Sequence, residues 1–436
     1  MIKIITADKF VADELERGLS TASVYTTVSE IIADVKLRKD AALFEYTERF
    51  DGCRPEAFEV TDDEIKEAIS KTKPDFIEIM KRAKSNIEAF HENQIQQGFI
   101  MTSPDGVILG QRIIPLKRAG IYVPGGTAAY PSTVLMNCIP AKIAKVEEVI
   151  IATPPGKDGK IAPAILAAAS ISGADRIFKI GGAQAIAAMA FGTESIPKVD
   201  KITGPGNAYV AEAKRQVYGI VGIDMIAGPS DILIIANENA NSELVAADML
   251  SQCEHGEDSI AILITTSHKL AQSVRDEIEN QLTKLPREAI ARKSIDNLGL
   301  IIVTENTDTA FDIANEIAPE HLEILLDDPF SYLGKVTNAG SVFLGKNTPE
   351  VLADYYAGPN HTLPTSGTAR FSGPLSVDDF IKKSSFTSYT ENAFNKIAND
   401  VASFALEEEF TAHANSVTKR VSQAASEREK SLGENS

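Results

Sequence analysis

Cysteine is scarce: Cys53, Cys138 and Cys253 are the only three in 436 residues. So few, so far apart, they exclude a disulfide framework and a cysteine-rich zinc site, and they suit a reducing compartment. Basic residues fall short as well. There are 43 against 61 acidic ones, for a net charge of −18. That argues against a nucleic-acid partner and against docking on anionic membranes. It leaves room for an anionic cofactor, because helix N-termini and backbone amides bind phosphate locally. No window approaches the roughly 20 apolar residues of a membrane span. No long apolar run follows a basic stretch at the start of the chain, so no secretory signal is visible. The expectation is a cytoplasmic protein (or an organellar one after processing). Tryptophan is absent, which decides nothing.

What is present is ordinary for a globular protein: 44% apolar and 24% charged residues, with length for two or three domains. Residues 1–100 are charged and read as surface helices, with a break at Lys73-Pro74. From about residue 105, short β-branched runs alternate with alanine-rich helical stretches. Strands are expected at 149–153, 176–180, 232–235, 260–264 and 300–303, and helices at 163–171, 183–191 and 242–252, the last capped by Asn241. Apolar strands alternating with helices imply parallel sheets covered on both faces. After Pro374 the pattern reads as helix again, with a frayed polar tail at 426–436.

Histidine is also rare, and it is spent unevenly. Four of the six histidines sit in polar motifs far apart in sequence. These are Gln252-Cys253-Glu254-His255-Gly256, Pro319-Glu320-His321, the stretch from Asp354 to Asn360-His361, and the stretch from Glu408 to His413. Imidazole, carboxylate and amide oxygen together suit zinc, and imidazole is the side chain best poised for proton transfer near neutrality. Gln252 and His255, three apart at a helix end, share a face. A polar last helical turn would look the same. Gly358-Pro359 marks a loop between Asp354 and His361. Glu320 and His321 form an acid–base pair at a turn, although a carboxylate at a helix start reads similarly. Glu408 and His413 would point about 140° apart on one helix, so a shared site needs a break between them, with Thr411 as a possible new cap.

The glycine turns are Tyr122-Val123-Pro124-Gly125-Gly126-Thr127, Gly181-Gly182-Ala183-Gln184, Gly204-Pro205-Gly206-Asn207 and Gly228-Pro229-Ser230-Asp231. They permit close approach to a phosphate. None is a dinucleotide fingerprint or a P-loop. A zinc hydrolase with Glu320 as general base fits the histidine motifs, but it leaves these turns without a purpose.

Taken in order, the blocks 118–126, 204–210, 228–231, 252–256, 319–321, 354–364 and 408–413 resemble the histidinol dehydrogenase family over residues 110–415. The resemblance implies NAD-dependent four-electron oxidation of L-histidinol to L-histidine through a bound aldehyde, the last step of histidine biosynthesis. It implies one zinc per subunit held by Gln252, His255, Asp354 and His413, with Glu320 and His321 as acid–base residues. Substrate contacts would come from Ser230, His321, His361 and Glu408 together with the metal-bound groups. NAD contacts would fall on Tyr122, Gln184 and Asn207. It implies a homodimer in which the C-terminal arm completes the partner's site. The expected fold is α/β, with two incomplete Rossmann-like parallel-sheet domains and helical terminal segments. The expected division is an arm at 1–20, a discontinuous metal and catalytic domain at 21–121 and 232–373, an NAD domain at 122–231 and a helical dimerisation arm at 374–436. Two positions depart from the family pattern. Cys253 stands where alanine is usual, and Glu409 stands where glycine is common, which puts the break between Glu408 and His413 in question.

Overall fold

Two parallel sheets organise the chain, which was studied as a computed structural model describing residues 1–12, 15, 22–125 and 129–433. Part of the expected N-terminal arm, and Gly126 and Thr127 of the first glycine turn, lie outside the described residues. The chain divides into two units. One comprises Met1–Ile95 and Pro115–Ile381, the other Gln96–Ile114 and Lys382–Ser436.

Within the larger unit, a six-stranded sheet runs in the order Lys3–Thr6, Leu300–Val303, Ile260–Thr265, Asp231–Ala236, His321–Leu325, Ser341–Leu344. Every neighbouring pair is parallel. The central strands Asp231–Ala236 and Ile260–Thr265 are buried at every position. Their unbroken apolar runs allow nothing else, because a strand without a polar face must be covered on both sides. Helices Ser242–Cys253, His268–Leu282 and Glu288–Leu298 cover one face, and helix Thr307–Ile317 covers the other.

A five-stranded sheet runs Arg176–Lys179, Glu148–Thr153, Arg118–Tyr122, Lys201–Thr203, Gly222–Ile223, again all parallel. Alanine-rich helices Pro163–Ser172 and Gly182–Phe191 pack close on it. The helices between residues 22 and 91, expected with the six-stranded sheet, lie against this one instead. Val28, Ile31 and Val35 of helix Ala22–Arg38 share a core with Ile186 and Met189. Burying three such side chains contributes on the order of 5 kcal/mol, and the small alanine faces give them a surface that fits. From the first 120 residues, only the strand Lys3–Thr6 joins the six-stranded sheet among the described residues.

The smaller unit holds a three-stranded sheet, ordered Ile381–Ser388, Ile108–Pro115, Phe99–Thr102, and helices Glu391–Glu407 and Thr411–Gly433. The segment after Pro374 is therefore not wholly helical. Its strand, Ile-Lys-Lys-Ser-Ser-Phe-Thr-Ser, is mostly exposed and carries no apolar alternation that would announce it. The second helix runs to Gly433, through the stretch expected to fray. Between the helices, Glu409 adopts φ +63°, the left-handed turn that glycine takes most easily. The break thus forms without glycine, and Thr411 opens the new helix rather than capping it from outside. No described helix is long and apolar enough to cross a membrane.

Three carboxylates join elements of the six-stranded lobe. Asp248 on helix Ser242–Cys253, Glu323 on strand His321–Leu325 and Glu350 before helix Val351–Tyr355 approach within 4.8 Å of one another. Each lies one helical turn, or one same-face strand step, from Gln252, His321 or Asp354. Glu323 accepts from the Glu350 backbone N–H at 2.9 Å, and Ser251 donates to the Glu350 carboxylate. Burial, aided by the Glu350 charge, pushes Asp248 up to about 7. Burial also raises Glu323, well above the ordinary range, and Glu350. The folded state thus holds protons that the unfolded chain releases. Stability is full below the ordinary carboxylate range and is lost as pH rises through the folded values. Asp248→Asn mimics the protonated form permanently. Thermal unfolding from pH 4 to 7.5 should show the variant gaining on the wild type as pH rises. Parallel profiles would contradict this account of the cluster.

Candidate functional site

Helix Ser242–Cys253 starts where Asn241 accepts the Glu243 N–H at 2.9 Å. It runs antiparallel to the strands it covers, so its last turn delivers Gln252, followed by His255, to the amino-terminal edge of the six-stranded sheet. The strand His321–Leu325 begins at that same edge. Helix Thr307–Ile317 ends with Ala318 in the left-handed conformation (φ +52°), which turns the chain into Pro319-Glu320-His321. Ser230 precedes Asp231, the first residue of the neighbouring strand.

The two strand starts lock onto each other. The Asp231 N–H donates to Glu320 Oε2 at 3.0 Å, and the Glu320 N–H donates to Asp231 Oδ1 at 2.6 Å. His321 Nδ1 lies 3.0 Å from the Asp231 carbonyl oxygen. A carbonyl only accepts, so Nδ1 keeps its proton in either charge state, and in the neutral ring the lone pair lies on Nε2. Gln252 Nε2 lies 3.2 Å from the same Nδ1, which that proton turns into a contact rather than a hydrogen bond. His321 Nε2 lies 3.6 Å from Asp354 Oδ1, and Nδ1 lies 3.6 Å from Glu320 Oε2. Asp354 serves a second imidazole too, its carbonyl accepting from His361 Nδ1 at 3.0 Å.

Charge and burial compete here. Burial pushes the Glu320 carboxyl up to about 8. Burial opposes the His321 imidazolium, but the Glu320 and Asp354 carboxylates outweigh it and raise the ring to about 10, so Nε2 carries a proton at neutrality and must release it before it can act as a base. Burial also works against the Asp354 carboxylate, yet His321, His361 and His255 hold it below its usual range. Desolvation lowers His255 and His361, so both favour the neutral ligand form.

Gln252 Oε1, His321 Nε2 and His361 Nε2 are buried and have no hydrogen-bond partner among the described residues. Leaving one such atom unpaired costs about 1–3 kcal/mol. Three such atoms, on side chains that meet His321 or Asp354, mark a place built for a ligand. The set Gln252 Oε1, His255 imidazole and Asp354 carboxylate offers the oxygen and nitrogen donors that zinc takes, so the residues fit that ion. Glu408 and His413 belong to the smaller unit, where both are exposed on either side of the helix break. Phe410 stacks obliquely on the His413 ring at 5.1 Å.

The cofactor candidates gather at the opposite kind of edge, the carboxyl ends of the five-stranded sheet. Tyr122 ends the strand Arg118–Tyr122 and accepts the Gly182 N–H at its hydroxyl, 3.0 Å away. Burial pushes that hydroxyl up to about 12. Gln184 is 1% exposed, and neither of its amide atoms finds a partner among the described residues. Asn207 caps helix Ala208–Val217, accepting from Tyr209 and Val210 N–H at 3.1 Å each. The turns at 181–182 and 204–206 therefore lead from strand ends into helix N-termini, the arrangement that favours phosphate. Asp231 was missed by the sequence reading, although a carboxylate opening a fully buried strand is itself a signal, since it must find partners.

The family model for histidinol dehydrogenase matches residues 15–421. The histidinol dehydrogenase of Clostridium acetobutylicum is 51% identical over 95% of this chain and 97% of its own length. That of Listeria monocytogenes serovar 1/2a is 54% identical over 92% and 94%. The crystal structure of histidinol dehydrogenase from Elizabethkingia anophelis superposes with a TM-score of 0.89 at 42% identity, over 95% of this chain and 96% of that one. The chain belongs to the histidinol dehydrogenase family.

Proposed function

We propose that the protein oxidises L-histidinol to L-histidine with two molecules of NAD⁺, through an aldehyde that stays bound. The zinc-hydrolase alternative finds no support among the matched relatives. The observation that carries the reading is the His321 ring, with one nitrogen on the Asp231 carbonyl and the other buried, unpartnered and facing Asp354.

In this reading His321 Nε2 takes the alcohol proton as hydride leaves the same carbon. The aldehyde remains in place, and Glu320 draws a proton from a water that adds to it. His321 returns its proton to the aldehyde oxygen, and the resulting hydrate gives a second hydride to NAD⁺ and a hydroxyl proton to His321 as it becomes the carboxylic acid. Burial suits Glu320 to that task, because a carboxyl near 8 exchanges protons readily around neutrality. Bound NAD⁺ supplies the hydride acceptor in each round, against Tyr122, Gln184 and Asn207. A zinc ion held by Gln252, His255, Asp354 and His413 would anchor the substrate's imidazole and amine rather than polarise its alcohol. Ser230, His361 and Glu408 complete the substrate's surroundings, with the free Nε2 of His361 as a hydrogen-bonding group. The six-stranded lobe thus carries catalysis and the five-stranded lobe the cofactor.

Glu408 and His413 are assigned to the site of a second copy of the chain. The smaller unit supports this, since it exposes Phe99, Ile100, Met101, Phe404, Leu406 and Phe410, large apolar side chains of the kind that protein contacts cover.

Glu320→Gln should slow aldehyde oxidation by about 10²–10⁴-fold while alcohol oxidation falls far less, as read by single-turnover kinetics started from each substrate. Equal losses would remove Glu320 from the water-activating role. Mixing inactive His255→Ala subunits with inactive His413→Ala subunits should restore activity through hybrid dimers that hold one intact site. No recovery after subunit exchange would place His413 in the site of its own chain.

A further inference from the structure

Lys214, on helix Ala208–Val217, is 1% exposed and is among the largest fully buried side chains of the protein. Its ammonium pairs with Asp224, whose side chain is equally enclosed. Removing two charges from water is costly, and such a pair rarely adds stability over an apolar pair of similar size. Its other bonds give it a different purpose. Lys214 Nζ donates to the Gly204 carbonyl at 2.9 Å, and the Gly204 N–H donates to Asp224 Oδ2 at 2.8 Å. The two halves of one ion pair therefore grip both polar groups of one glycine. That glycine sits at φ +110°, and a Cβ there would run into the Tyr122 carbonyl. No side chain of its own can secure the position. The buried pair secures it instead, and with it the turn 204–207 that ends in the cap Asn207.

We propose that Lys214 and Asp224 are positioning residues for the nicotinamide cofactor. Acting through Gly204, they hold the turn so that Asn207 and the helix start behind it are preformed for NAD⁺. This rests on the assignment of that sheet edge to NAD⁺ made above. Asp224 also opens the link 224–230, whose far end is Ser230. The residue that sets the cofactor turn thereby begins the segment that reaches the substrate side.

The test removes both charges together. Lys214→Met combined with Asp224→Leu leaves neither ion stranded, so the fold should survive while Gly204 loses both partners. Calorimetric Kd for NAD⁺ should rise roughly tenfold, the loss of about one good hydrogen bond. The Gly204 amide should lose its protection from hydrogen exchange. KM for L-histidinol and kcat at saturating NAD⁺ should stay within about twofold. If the double variant does not fold, Lys214→Met with Asp224→Asn, which strands no charge and keeps the size at 224, should show a weaker version of the same split, since the Gly204 carbonyl still loses its partner. Unchanged NAD⁺ affinity in a folded variant, or an equal loss in every kinetic constant, overturns the proposal. Asn207→Ala separates the two layers of inference. If it weakens NAD⁺ binding while the pair variants do not, only the positioning role falls. If NAD⁺ affinity ignores Asn207 and the pair alike, the cofactor assignment falls with it.

Discussion

Two adjacent strands of the six-stranded sheet begin on each other's carboxylates. Asp231 accepts from the Glu320 backbone, Glu320 accepts from the Asp231 backbone, and the Asp231 carbonyl takes the proton of His321 Nδ1. This reciprocal lock decides three things at once. It sets the register of the two strand starts. It holds the Glu320 carboxyl where burial raises its proton affinity. It turns the outer nitrogen of His321 toward the Asp354 carboxylate. The base role proposed for His321 needs the neutral tautomer chosen for it, and here the backbone chooses. The same segment would be an expensive place for two carboxylates without those bonds, since an unpaired charge at a buried strand start carries a large desolvation cost.

The residues proposed for cofactor binding and those proposed for catalysis occupy opposite kinds of sheet edge. In open α/β folds, ligands usually meet the carboxyl ends of strands. The five-stranded sheet follows that rule with Tyr122, Gln184 and Asn207. The six-stranded sheet does not, for Ser230 and Glu320 precede their strands and His321 opens its own. The link from Asp224 to Ser230 joins the carboxyl end of strand Gly222–Ile223 to the amino end of strand Asp231–Ala236. Seven residues span at most about 25 Å. The chain itself therefore keeps the two edges within reach of one extended dinucleotide and a small substrate. Beneath the catalytic edge, Asp248, Glu323 and Glu350 repeat the positions of Gln252, His321 and Asp354 one step further in. They join a helix, a strand and the start of a short helix one step from the site residues.

Much of this was legible in the sequence. The apolar strand runs and the cap at Asn241 announce themselves through short-range chemistry, and those elements formed within a residue or two of expectation. The scattered histidine motifs signalled a site because polar clusters are unusual in so histidine-poor a chain. Long-range partners stayed hidden. Nothing local told that helix Ala22–Arg38 would pack on the five-stranded sheet, because an amphipathic stripe names a face and not its partner. The strand Ile381–Ser388 carries lysines and serines where an apolar alternation was needed to see it. Asp231 looked like the tail of a glycine turn until its three partners were visible. Glu409 shows the converse, a residue that breaks a local rule while the turn forms regardless.

The central claim is that one anchored substrate is oxidised twice in succession. The direct measurement is the yield of NADH from a limiting amount of L-histidinol, followed by absorbance with excess NAD⁺. The account predicts two NADH for each L-histidinol consumed, with L-histidine as the product. It also predicts that a strong chelator abolishes turnover and that added zinc restores it. A yield of one NADH with free aldehyde accumulating, or no NADH from metal-replete protein, would contradict it.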